Sequence, residues 1–127
     1  MAKTLASLTK DLIYISETDA PINAVKFRKV SSVSKSEVLS ATGNGQTAPV
    51  EIVDAEKFFE RLTTMRDWFG PRETEMARGF AELKNRIDEE LTNVKVFKIG
   101  KIEMDIYVVG LDRDGNLAGI KTRAIET

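Results

Sequence analysis

The 127-residue chain is long enough for one domain spanning residues 1–127, with a single sizeable core. Its 19 Lys plus Arg against 20 Asp plus Glu leave a formal charge of −1, which excludes a bulk field drawing the protein to nucleic acid or an anionic membrane. Cysteine and histidine are both absent, so disulfides, thiolate chemistry, His-based nucleophile systems and His-ligated zinc are excluded, and an enzyme would have to work with carboxylates, Lys or Tyr.

The opening segment MAKTLASLTKDLIYIS has neither the continuous apolar stretch of a signal peptide nor that of a membrane span, and a soluble, cytoplasmic protein is expected. Leu5, Leu8, Leu12 and Ile15 recur at three- and four-residue steps, which predicts an N-terminal helix ending in the polar turn SETDAP. NAVKFRKV alternates as a half-buried strand, APVEIVD reads as another, and the Ser-rich SSVSKSEVLSATGNGQT between them reads as a loose connection. Asp54 caps a helix over AEKFFERLTT, whose Ala55, Phe58, Phe59 and Leu62 form an apolar stripe. After MRDWF, Gly70 and Pro71 start the longest helix, marked by Met76, Phe80, Leu83, Ile87 and Leu91.

The rest is β-structure. VKVFKI and IEMDIYVV are joined by Gly100-Lys101 as a two-residue hairpin, and DRDGN turns the chain into LAGIKTRAI. In the middle strand Ile102, Met104, Ile106 and Val108 share one face, and Glu103, Asp105, Tyr107 and Val109 the other. Helices before and between the strands predict an α/β/α sandwich with a largely antiparallel sheet.

Few motifs carry chemistry. TGNGQ has phosphate-loop glycines, but a strand-like segment follows it instead of a helix N-terminus, so a turn is the better reading. LDRDGN fails as a calcium loop, because aligning Gly115 with the required glycine puts Gly110 first and Lys121 where a bidentate Glu belongs. Glu103 and Asp105, two apart on one strand face, could share a metal or divide acid and base roles in a hydrolase. A solvated or salt-bridged strand face outweighs that, since no further catalytic partner is visible. Trp68 stands in the RDWFG connection between two helices, as a packing residue or as a contact anchor. Thr127 joins a hydroxyl to the terminal carboxylate, a set of hard oxygens suited to a divalent cation, although chain ends are ordinarily untethered.

Three stretches taken together, ISETDAP (15–21), TGNGQTAPVEIVDAEKFFERLTTMRDWF (42–69) and GKIEMDIYVVGLDRDGNLAGIKTRAIET (100–127), closely resemble the nuclease A inhibitor family of bacterial proteins. The resemblance implies an α/β/α sandwich that is not an enzyme. It would inhibit a sugar-non-specific, metal-dependent nuclease of the ββα-metal class, without membrane or direct nucleic-acid binding, and would be monomeric when free. It also implies docking over the nuclease active site, with the C-terminal threonine, Thr127, reaching the target's catalytic Mg2+ and no cofactor of the inhibitor's own. The family's acidic contact falls on Glu17 and its Asp-Trp pair on Asp67 and Trp68. A binding module of the same fold with a different partner is the alternative.

Overall fold

The computed structural model describes residues 5–10, 12–15 and 17–125. The sheet is built by the last third of the chain, where β-branched and aromatic residues alternate: β5 (Thr92–Gly100), β6 (Glu103–Leu111) and β7 (Asn116–Ile125) form the expected antiparallel meander. Two earlier strands, β3 (Asn23–Lys29) and β4 (Val50–Val53), add to its edges, giving an all-antiparallel order β3-β7-β6-β5-β4. Pairing runs the full length of β7, from Leu117 opposite Leu111 to Ile125 opposite Glu103.

Strand alternation creates two cores, one on each face of the sheet, in place of the single core expected from chain length. On one face Val96, Ile106, Val108 and Ile120 meet α1 (Leu5–Thr9), α3 (Ala55–Thr63) and α4 (Pro71–Glu90) in a cluster that includes Leu8, Phe59, Phe80, Leu83 and Ile87. On the other, Phe97, Tyr107, Val109 and Leu117 are covered by Val38 and Leu39 of α2 (Lys35–Ala41). The chain is therefore a three-layer α/β/α sandwich, as predicted. Leu83 and Ile87 are fully buried, each contributing about 1.5–3 kcal/mol through removal of apolar surface from water.

Asp54 caps α3 by accepting from the Glu56 amide at 3.1 Å, and Pro71 opens α4. Three further expectations need correction. The N-terminal helix ends at Thr9, and Ile13–Ile15 is instead β1, paired with β2 (Asp19–Pro21) in a small hairpin; Ile-Tyr-Ile is stiff at χ1 and favours an extended chain. The Ser-rich connection contains α2. Ser34 caps it by accepting from the Glu37 amide, and at the far end the Gly43 amide donates to Ser40 and the Asn44 amide to Leu39. Gly43 takes φ +78°, so the glycines of TGNGQ begin as a Schellman C-cap. Finally, Gly100 stays inside the ladder opposite Met104, leaving Lys101 and Ile102 as the hairpin loop; Ile102 is thus exposed and does not share the core face of Met104. Gly100 has φ +123° and a Cβ there would fall 2.3 Å from the Glu103 carbonyl oxygen, which ties the turn to glycine.

Candidate partner interface

The path of the chain gathers several segments at one end of the sheet. β4 runs from Val50, opposite Ile99, to Val53, opposite Val96, and α3 then carries the chain back toward the β5–β6 turn. The connection of residues 64–70 accordingly lies at the end where Ile125 pairs with Glu103. The β1–β2 hairpin lies there too: the Glu17 amide donates to the Ile125 carbonyl at 3.2 Å, and Thr122 Oγ1 donates to the Pro21 carbonyl at 3.0 Å.

Buried contacts fix both segments. Tyr14, 1% exposed, stacks on Phe58 with ring centroids 5.7 Å apart, and its hydroxyl accepts from Arg61 Nη2 at 2.9 Å. Between the helices, the Phe69 amide donates to the Arg66 carbonyl at 3.0 Å, closing a turn whose two central residues are Asp67 and Trp68. Trp68 is 76% exposed and meets Phe69 edge to face at 4.7 Å, so it is not a core residue. Between the hairpin and this turn runs a groove of about 490 Å³, walled by Ile13, Ile15, Trp68 and Phe69 and floored by Met76 and Phe80.

Exposed apolar surface concentrates at the same end. Among the described residues the large exposed hydrophobic side chains are Ile15, Ile52, Met65, Trp68 and Ile102, and all but Ile52 belong to the hairpin, the 64–70 connection or the β5–β6 turn. Exposed apolar side chains gathered at one end make it the candidate interaction surface.

Of the residues singled out by sequence, Glu17 is exposed in the β1–β2 turn and Asp67 and Trp68 are exposed at the tip of theirs. Thr127 lies outside the described residues, as does Glu126; β7 is ordered to Ile125, two positions before the end. Asp105 is engaged by Arg123 Nε at 3.5 Å across the β6–β7 pair, which fits a salt-bridged strand face. Among the described residues no three His, Cys, Asp or Glu side chains gather where they could hold a metal ion, and no helix is long and apolar enough to cross a membrane. Sequence reading misses Ile15 and Ile102 on this surface, placing one on a helix and the other on a core face; the Ile-Tyr-Ile run followed by SETD is the available signal for a strand and turn at Ile15.

The whole chain, residues 1–127, matches the family described as nuclease A inhibitor-like protein (NuiA). The chain belongs to that family. No curated protein matches it. The exposed end of this family member has the character of a binding surface, with apolar side chains displayed around two turns that carry Glu17 and Asp67.

Proposed function

We propose that the chain is a stoichiometric inhibitor of a sugar-non-specific, metal-dependent endonuclease of the ββα-metal class, seated over that enzyme's active site by the Trp68 end of the sheet. The observation that most supports this reading is the meeting of three segments at one place: the Glu17 turn hydrogen-bonded to Ile125, the Asp67–Trp68 turn across the groove, and the end of β7 leading to Thr127.

A nuclease must present a cation and Arg or Lys groups to a phosphodiester. The carboxylates of Glu17 and Asp67 occupy positions prepared for phosphate oxygens, mimicking charge at points, so the inhibitor needs no large negative charge. Trp68 supplies a rigid apolar anchor whose burial is completed only in the complex. Thr127 offers its hydroxyl and terminal carboxylate to the Mg2+ of the target. Pairing of β7 with β6 up to Ile125 lowers the entropy lost when the tail enters the enzyme. The inhibitor itself is non-catalytic, monomeric when free and cytoplasmic, and needs no cofactor.

The test is a titration of purified protein into a magnesium-dependent non-specific endonuclease. Inhibition saturating near one inhibitor per enzyme is expected. Nucleic-acid hydrolysis by the chain alone, or no inhibition at any ratio, would contradict the reading.

A further inference from the structure

We infer that the groove beside Trp68 is a socket for an apolar side chain on the target nuclease, outside its catalytic cleft, and that this socket sets which nucleases the protein holds. The inference rests on the inhibitor reading above and adds a specificity determinant to it.

The interior of the groove is hydrocarbon and aromatic: Ile13 and Ile15 on one wall, Phe69 on the other, Met76 and Phe80 below. Such a lining cannot stand in for a phosphate, and a charged or unpaired polar group placed in it would lose hydration without replacement. At about 490 Å³ it lies within the roughly 300–1,000 Å³ of ligand-sized clefts, ample for one large side chain. Charged residues of both signs also line it, Asp19 and Glu73 with Arg61 and Arg72. Mixed charges beside an apolar floor fit a nonpolar knob surrounded by a polar ring, the usual surroundings of an interface hot spot.

The socket is continuous with the proposed inhibitory contacts, because Trp68 is both one of its walls and the neighbour of Asp67 in the same turn. It is also preformed. Ile13 and Ile15 flank Tyr14, which is locked by Phe58 and Arg61, so the hairpin wall does not have to be ordered on binding. Met76 on the floor has the flexibility to pack against side chains of different shape.

Specificity follows from the division of labour. The metal and the phosphate-binding groups are present in every nuclease of the class because the chemistry requires them, so contacts to them hold all members alike. Discrimination needs a contact that differs between members, and a nonpolar position beside the cleft is free to differ.

The experiment measures inhibition constants of the native chain, Ile15→Asp, Ile15→Val and Asp67→Ala against a panel of magnesium-dependent non-specific endonucleases with different surface sequences. Ile15 is 64% exposed, so its replacement removes no core contact; Ile15→Asp sets a like charge opposite Asp19, and a thermal melt checks that the fold is retained. Ile15→Asp is expected to weaken inhibition to extents that differ at least about tenfold across the panel, Ile15→Val to change it little, and Asp67→Ala to weaken it evenly. An Ile15→Asp effect that is absent or equal for every enzyme overturns the socket while leaving the inhibitor reading intact. Failure of the native chain to inhibit any of the panel removes both. Dimerisation of the free chain that Ile15→Asp abolishes would assign the groove to a second copy, and would equally overturn the inference.

Discussion

At the end of the sheet where β6 turns into β7, charged side chains are engaged by one another and by the backbone. Asp112 Oδ1 accepts from the Asp114 and Asn116 amides, each at 2.9 Å, and Lys26 lies 3.7 Å from its other oxygen. Nearby on α4, Arg86 pairs with Glu89 and Glu90, while Lys84 joins Asp88 and Glu56. The opposite end differs in what it exposes. Backbone hydrogen bonds fix two turns there, and Ile15, Trp68 and Ile102 are left in water. One sheet thus carries an end whose charges are largely engaged, Arg86 Nε being buried without a partner, and an apolar, displayed end whose cost in exposed surface makes sense when a partner covers it.

Substitutions at the two ends should therefore separate binding from stability. The largest expected effect of a single side chain is at Trp68. Its replacement by Ala should weaken inhibition by roughly 30- to 1,000-fold, the consequence of losing about 2–4 kcal/mol at a hot spot, with little change in melting temperature. A variant that melts much earlier but inhibits normally would mean that Trp68 serves the fold, and the contrast between the ends would collapse.

Smaller changes are expected for charge. Glu17→Ala and Asp67→Ala should each slow association and reduce its dependence on salt, whereas Glu103→Ala should do neither; stopped-flow kinetics at several ionic strengths would show this. Equal effects at all three positions would point to diffuse charge in place of placed contacts.

The smallest effect belongs to Asp112, and it concerns stability alone. Burial by itself would raise this carboxyl, but hydrogen bonds from the Asn116 and Asp114 amides and the nearby Lys26 outweigh it and hold it below its ordinary 3.8. A folded-state value below the unfolded one contributes stability that is present above 3.8 and lost as pH falls through the lower, folded value. Asp112→Asn should accordingly be less stable than the native chain at neutral pH, with the gap closing as pH is lowered below the ordinary carboxylate range and inhibition unaffected. A gap independent of pH in thermal melts would contradict this account of the turn.

Much of the fold was legible in the sequence because local signals agreed. Asp54 and the stripe of Phe58, Phe59 and Leu62 define α3 twice over, Pro71 and the long Met76-to-Leu91 period define α4, and alternation defines the meander. Misreadings arose where a pattern had two physical meanings. Leu5, Leu8, Leu12 and Ile15 fit a helical period, yet Leu12 is buried from the segment after the helix and Ile15 is an exposed residue at the end of a strand. Helix α2 buries only Val38 and Leu39, too little for a stripe to stand out, although Ser34, Glu37 and Gly43 marked its ends. Trp68 stood out in RDWFG as a packing residue or a contact anchor, and the contact reading of it, of Glu17 and of Asp67 came from family resemblance. The groove beside them was beyond reach, since Ile13 and Met76 meet only in the tertiary structure.

The account turns most sharply on the chain end, because β7 is held in the sheet up to Ile125 while the proposed plug is the pair of residues beyond it. The direct measurement compares the native C-terminus, a chain lacking Thr127, and a chain extended by a few residues, each titrated against the same nuclease at equal Mg2+ concentration. The account predicts that deletion and extension both abolish or sharply reduce inhibition while the melting temperature is unchanged, and that Thr127→Ser retains most of it. An extended chain that inhibits as well as the native one would contradict the account, and would leave β7 with no role beyond completing the sheet.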